Sequence, residues 1–217
     1  MIVALFSDVH ANLPALEVFV EQTKGVVDAY ICLGDIVNYG PWNDECLDAV
    51  FSLPNVTVLE GNHEQLFLNP HLILEEADLV QEFSERSLRN FTRRHLIDRL
   101  PKTYNLGKHI CSHTIGEARV YPDSEIQITQ NYIIGHTHHQ FAKQISHWML
   151  VNCGSVGQNR RITGLANYVL YDSDKETISL HEVEYPFQKL VNEMISRGYS
   201  QRCINYYLSK SRVTQQA

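Results

Sequence analysis

Carboxylate, amide and imidazole side chains occur in short islands along the chain, none able to hold a metal ion alone. They are Asp8-Val9-His10, Gly34-Asp35, Gly61-Asn62-His63-Glu64, a separate His113, and Gly135-His136-Thr137-His138. Asp8 and His10 lie two residues apart after an apolar run, so both side chains can face one side. A carboxylate with an imidazole is a mixed ligand set suited to manganese, iron or zinc. Taken singly, Asp-x-His and Gly-Asp are weak signals, because capping aspartates and Gly-Asp turns are common. The reading of Asp35 that adds chemistry is a carboxylate bridging two metals. Asn62 is a poor, neutral ligand, but Asn beside His at the end of a strand-like run is not what turn chemistry alone selects. His136 and His138 at i and i+2, introduced by Gly135 after an apolar run, form the most specific local signal. His139 adjoins them and is expected to point the other way. His109 and His113 share one face of a single run; His113, at its end, is preferred, with His109 as the alternative. His71, His95, His147 and His181 have no partner pattern and read as surface or packing residues.

The elements that precede the islands must bring them together. Residues 2–6 form an apolar run of strand length. Asn12 can cap a helix, Pro14 suits its first turn, and Leu13, Leu16, Phe19 and Val20 give a helical stripe. Residues 28–33 are a second strand-like run ending at Gly34-Asp35. Residues 43–52 read as a helix with Cys46, Leu47 and Val50 on one face, and residues 56–59 as a third strand ending at Gly61. This alternation predicts an α/β sheet, with ligands beyond the carboxyl ends of its strands. Residues 65–99 carry apolar residues at helical spacing, closed by Pro101. They predict two or three helices, forming a layer on the sheet in preference to a cap over the site. From Lys102 the pattern is β: a hairpin around Gly107, a strand at 132–134, two strands within 140–152, and a pair at 165–172 and 176–183. A helix follows from Phe187 and ends at Gly198, another spans 200–209, and the tail from Ser211 is expected to fray. The chain reads as one domain, 1–217, with a helical insert at about 65–100.

Of 217 residues, 44% are hydrophobic and 20% charged, which supplies a core and argues against disorder. The net charge of -7 argues against stable nucleic-acid or membrane binding. It leaves room for a small phosphorylated substrate, because bound metal ions reverse the local sign. Five cysteines without a Cys-x-x-Cys predict free, buried thiols. No signal-peptide pattern or membrane-length apolar run occurs, so a soluble, cytoplasmic protein is expected. The oligomeric state is not legible.

In order and content the islands resemble the calcineurin-like metallophosphoesterase family, whose pattern is Asp-x-His, Gly-Asp, Gly-Asn-His, His and Gly-His-x-His. The likeness runs from Ile2 to about Arg160. Ser7-Asp8-Val9-His10-Ala11-Asn12, Arg99-Leu100-Pro101 and Asn152-Cys153-Gly154-Ser155-Val156-Gly157 are further similar to its small bacterial phosphodiesterase branch. The resemblance implies a four-layer α/β/β/α sandwich of two mixed sheets flanked by helices. It implies two divalent ions, manganese foremost, with iron, zinc or nickel as alternatives. One would take Asp8, His10, Asp35 and His138, and the other Asp35, Asn62, His113 and His136. It also implies that His63 stays off the metals and protonates the leaving oxygen, with Glu64 holding its ring in the donor form. A metal-bridging hydroxide would attack phosphorus in line.

The chain departs from the family pattern in three places. Thr114 follows His113 where the family has Gly. Glu64 stands where the branch has Asp. Residues 36–40 lack the Arg with which phosphoprotein phosphatases fork the phosphate oxygens. The missing Arg favours diesters. The rivals are a phosphomonoesterase, whether phosphoprotein phosphatase or nucleotide pyrophosphohydrolase, and a non-catalytic scaffold like the family's retromer subunit. Arg160 and Arg161 follow the 154–157 loop and could reach phosphate, but read in preference as solvated surface charges; Tyr39, Trp42 and Tyr121 could line a pocket, but read in preference as packing residues.

Overall fold

The computed structural model describes residues 1–212. The first half alternates strand and helix: β1 (Ile2–Phe6), α1 (Leu13–Thr23), β2 (Ala29–Cys32), α2 (Asn43–Phe51) and β3 (Val56–Val58). A helical stretch follows, with α3 (Asn62–Leu68), a 3-10 helix (Pro70–Glu75), α4 (Asp78–Leu88) and α5 (Arg94–Ile97). The remainder holds β4 (Thr103–Leu106), β5 (His109–Ser112), β6 (Asn131–Ile134), β7 (Phe141–Ile145), β8 (Trp148–Asn152), β9 (Ile162–Thr163), β10 (Leu165–Asp172) and β11 (Thr177–Glu184). It closes with α6 (Phe187–Ser196), α7 (Gln201–Leu208) and β12 (Ser211–Arg212). The tail expected to fray thus begins with a short strand paired to β9; residues 213–217 lie outside the described residues.

Two five-stranded mixed sheets form, as expected, in the orders β11-β10-β1-β2-β3 and β4-β5-β6-β8-β7. Each has three parallel strands, β1, β2 and β3 in one and β5, β6 and β8 in the other, edged by antiparallel partners. The two-residue period of β1 sorts its side chains between layers. Val3 and Leu5 join Ile31, Leu33, Leu59, Cys111, Ile133 and Val151 in the core between the sheets. Ala4 and Phe6 face the helices with Leu16, Phe19, Leu47 and Val50. The outer face of the second sheet, with Ile134, Phe141 and Leu150, is covered by Val120 and by Ile126 and Ile128 of the β5–β6 connection. A third cluster joins Phe83 of α4 to Tyr39, Leu190, Met194 and Tyr207. All the cysteines are free and buried, as expected. Among the described residues no helix is long and apolar enough to cross a membrane.

Parallel order points the carboxyl ends of β1, β2 and β3 the same way, and the first three islands follow those ends directly. The connections continue in step past the strands. The Asp8 N–H bonds the Gly34 carbonyl at 3.0 Å, and the His10 N–H bonds the Asp35 carbonyl at 3.0 Å. Asn12 caps α1 by accepting from the Ala15 N–H at 3.4 Å, and its amide donates to the Gly157 carbonyl at 2.7 Å. That second bond ties the β1 loop to residues 154–157.

Candidate metal centre

The glycines that introduce the islands are spacers between loops. A Cβ at Gly61 would collide with the Asp35 carboxylate and backbone, and one at Gly135 with the Ser7 hydroxyl. Only hydrogen at these positions lets the loops touch. The site residues accept unusual backbone angles in return: φ is 56° at Asp8, 48° at His10, 57° at Asp35, 69° at His136 and 61° at His138. All lie in the left-handed region that side chains other than glycine's disfavour.

Two clusters result, joined by a third group of His10, Asp35 and His63. In one, His138 Nε2 lies 3.1 Å from Asp8 Oδ1 and 3.1 Å from His10 Nε2. In the other, His113 Nε2 lies 3.2 Å from Asp35 Oδ2 and 3.1 Å from Asn62 Oδ1, while His136 Nδ1 lies 2.9 Å from Asn62 Oδ1. Asp35 faces both clusters, with Oδ2 4.0 Å from His10 Nε2. The residues singled out in sequence therefore converge. His109, the alternative to His113, is buried on β5 against Tyr171, away from the clusters.

Hydrogen bonding at the outer ring nitrogens decides what these groups can do. His10 Nδ1 meets the Val37 carbonyl at 3.2 Å, His113 Nδ1 the Leu33 carbonyl at 2.9 Å, and His138 Nδ1 the Gln158 carbonyl at 2.8 Å. A carbonyl only accepts, so each Nδ1 carries hydrogen, and a ring turns an Nε2 lone pair inward whenever it is neutral. Burial holds the pKa of His10 and His138 well below the imidazole range, helped at His10 by the adjoining imidazoles of His138 and His63 and at His138 by Arg160, so both are neutral. Their lone pairs face each other and Asp8 Oδ1, which is buried without a hydrogen-bond partner. Acceptors facing acceptors repel unless a cation lies between them. Burial opposes charge on His113, but the Asp35 carboxylate outweighs it and lifts that pKa to about 10 without metal. Burial also opposes charge on Asp35, yet His113 and His63 offset it and hold the carboxyl well below its usual range. Inward imidazole, carboxylate and amide donors with anchored outer nitrogens are a donor set that fits divalent transition metals.

Glu64 departs from expectation. It does not touch the His63 ring. Its carboxylate accepts from the backbone N–H groups of Asp35 at 2.7 Å, Ile36 at 2.8 Å and Gly61 at 2.9 Å. Burial, and then the Asp35 charge, pushes its pKa up to about 7. The reason lies in α3, which begins at Asn62, so His63 and Glu64 occupy successive helical positions and diverge by about 100°. Glu64 braces the Asp35 loop instead.

Asn38 holds the His63 ring. Its Oδ1 accepts from the Tyr39 N–H at 2.7 Å, which fixes the amide's orientation. Its Nδ2 then donates to His63 Nδ1 at 2.9 Å and to Ser84 Oγ at 2.8 Å, and the Ser84 hydroxyl donates to the Val80 carbonyl at 2.8 Å. With Nδ1 accepting, the ring hydrogen sits on Nε2, 3.9 Å from Asp35 Oδ2. Burial lowers the pKa of His63, which keeps the ring neutral. Asn38 carried no sequence signal beyond its place after Gly34-Asp35.

The clusters open into a cleft of about 510 Å³ lined by Tyr39, His63, Leu79, Val80, Arg160 and Tyr206, among others. Glu76 to Val80 belong to the helical stretch, so its near end overhangs the site while Phe83 packs as a layer. Tyr121 and His139 line the rim, edge to face at 5.6 Å, so His139 is not turned away from the cleft. Trp42 packs in the core. Arg160 is half-buried on the cleft wall, against the preferred expectation of a solvated charge.

Two mixed sheets with imidazole, carboxylate and amide donors gathered at their strand ends define a metallophosphoesterase fold. The family model for the calcineurin-like phosphoesterase superfamily domain matches residues 1–176, and the chain belongs to that family. An uncharacterized protein of Methanocaldococcus jannaschii is 26% identical, over 89% of this chain and 91% of its own. The crystal structure of a metallophosphoesterase from Sphaerobacter thermophilus matches with a TM-score of 0.75 and 25% identity, over 96% of this chain and 99% of that one. A hypothetical protein from Pyrococcus horikoshii OT3 shares the fold, with a TM-score of 0.82 and 19% identity over 94% and 96% of the two chains.

Proposed function

We propose that this chain is a metal-dependent phosphodiesterase with two divalent ions, one among Asp8, His10, Asp35 and His138 and the other among Asp35, Asn62, His113 and His136. When bound, such ions supply positive charge opposite the phosphate and acidify water. The observation that carries the diester reading is a cleft with two lobes. The lobe of about 510 Å³ and a neighbouring one of about 600 Å³ share Asn62, Glu76, Arg119 and His136 as a common wall. One lobe adds Tyr39, Leu79, Val80 and Tyr206 to its histidines and Arg160; the other is lined by Glu60, Lys102, Ser112, Thr114 and Glu117, among others. A phosphorus atom between them can carry a substituent on each side.

His63 serves the leaving group in this reading. Its Nε2–H offers the departing oxygen a hydrogen bond that strengthens as negative charge develops. Complete proton transfer needs a second proton on Nδ1, where the Asn38 amide now donates; in the present arrangement the ring gives the hydrogen bond and keeps its proton. Glu64 keeps Asp35 in place. Apo protein reconstituted with manganese provides the test. Faster cleavage of bis(p-nitrophenyl) phosphate than of p-nitrophenyl phosphate is expected. The reverse order points to a monoesterase, and no turnover with manganese, iron, zinc or nickel points to a scaffold.

A further inference from the structure

The His138 side of the cleft carries two basic side chains, Arg160 and Lys210, without an ion-pair partner among the described residues. Arg160 is half-buried and forms no ion pair with a described residue. Its guanidinium instead hydrogen-bonds the Tyr206 hydroxyl and lies 5.7 Å from the centre of that ring. Tyr206 is itself fixed: its hydroxyl donates to Gln158 Oε1 at 3.2 Å, and its ring stacks at 6.2 Å on that of Tyr39. Beyond the ring, Lys210 Nζ lies 4.1 Å from the ring centre and is buried without a hydrogen-bond partner. Two basic side chains thus sit on one aromatic ring with no carboxylate of a described residue paired to either. Burial lowers the Lys210 pKa to about 7 and so relieves the cost there, whereas the Arg160 guanidinium stays charged and is open to a mobile anion. Arg160 alone of the two lines the cleft, together with Asp35, His63 and His138.

We infer that Arg160 is the residue that grips the phosphoryl oxygens of the substrate, with Tyr206 as the residue that positions it. The inference rests on the phosphoesterase reading for its ligand class. A planar guanidinium held at one edge by a phenol keeps its other N–H groups for anionic oxygen, the geometry in which Arg surpasses Lys. It supplies from the far side of the cleft the clamp missing from residues 36–40. Asp8 acts on Arg160 only at a distance, and no described carboxylate forms an ion pair with it.

The test uses full-length, manganese-loaded protein and inorganic phosphate as the probe, followed by calorimetry and by competitive inhibition of bis(p-nitrophenyl) phosphate cleavage. Arg160→Ala is expected to weaken phosphate binding and raise KM at least tenfold, with metal content unchanged. Arg160→Lys should recover part of the loss, and added guanidinium should partly rescue the alanine variant. Tyr206→Phe should weaken phosphate binding severalfold, less than Arg160→Ala. Phosphate that binds wild type and Arg160→Ala equally overturns the inference, as does a wild type that binds no phosphate. If the alanine variant does not fold, equal binding by wild type, Arg160→Lys and Arg160→Gln overturns it as well. Phosphate binding that depends on Arg160 in a protein that cleaves no ester would refute the proposed function and leave this site standing. Ester cleavage indifferent to Arg160 would do the opposite.

Discussion

His63 and Asp35 are close enough to be confused in role, and substitution separates them. His63→Ala is expected to keep its metals and lose about a hundredfold or more in kcat, the usual scale of a leaving-group proton donor. Asp35→Asn faces both clusters and is expected to lose metal, read by elemental analysis after dialysis. Asn38 gives a finer handle. In Asn38→Asp a carboxylate accepts from His63 Nδ1–H and favours the doubly protonated ring. Cleavage of alkyl esters, whose leaving oxygens need a proton, should then rise relative to p-nitrophenyl esters, which need none; an unchanged ratio would exclude Asn38 from control of that proton. The ligand residues were legible in sequence because metal chemistry is written in local pairs such as Asp-x-His and Gly-His-x-His. Asn38 and Arg160 were not. Their partners, His63 and Tyr206, are 25 and 46 residues away, and nothing local distinguishes a buried Arg from a solvated one.

Loops and helix starts set the precision of the centre. The β2 loop and the start of α3 approach until only hydrogen fits at Gly61. Gly61→Ala should therefore displace Asp35 and empty the site of metal. Gly25→Ala is the control: it has a left-handed φ of 73° but open space around it. It should cost about 1 kcal/mol in denaturant unfolding and retain the ions. The parallel strands were readable as short apolar runs, as in β1, and α1 from its Asn12 cap. The start of α3 was not, because Gly61-Asn62-His63-Glu64 contains turn residues and its helical turn is stabilised by Glu64 bonding back to the Gly61 N–H. Whether the helical stretch was layer or overhang could not be read either. The answer depends on α4 meeting α7, elements more than a hundred residues apart in sequence.

Across the whole molecule, folding collects carboxylates and imidazoles that repel or desolvate one another until cations arrive. Unfolding scatters them, so metal binds the native state alone and should stabilise it. Manganese at about a hundred times its Kd is expected to raise Tm by about 5–10 °C, and a chelator should reverse the rise. An equal rise in Asp35→Asn would mean that the ion binds elsewhere. The two mixed sheets were visible in the sequence as a whole. The second sheet's cover was less so, because Val120, Ile126 and Ile128 lie in a connection without helix or strand of its own.

The left-handed backbone at Asp8, His10, Asp35, His136 and His138 gives these positions an evolutionary signature. Each costs the fold about 1–2 kcal/mol that a glycine there would avoid. In a lineage released from selection for chemistry, drift at these sites would run toward glycine and greater thermal resistance. The reactive residues would disappear first, well before the hydrophobic layers beneath them began to change.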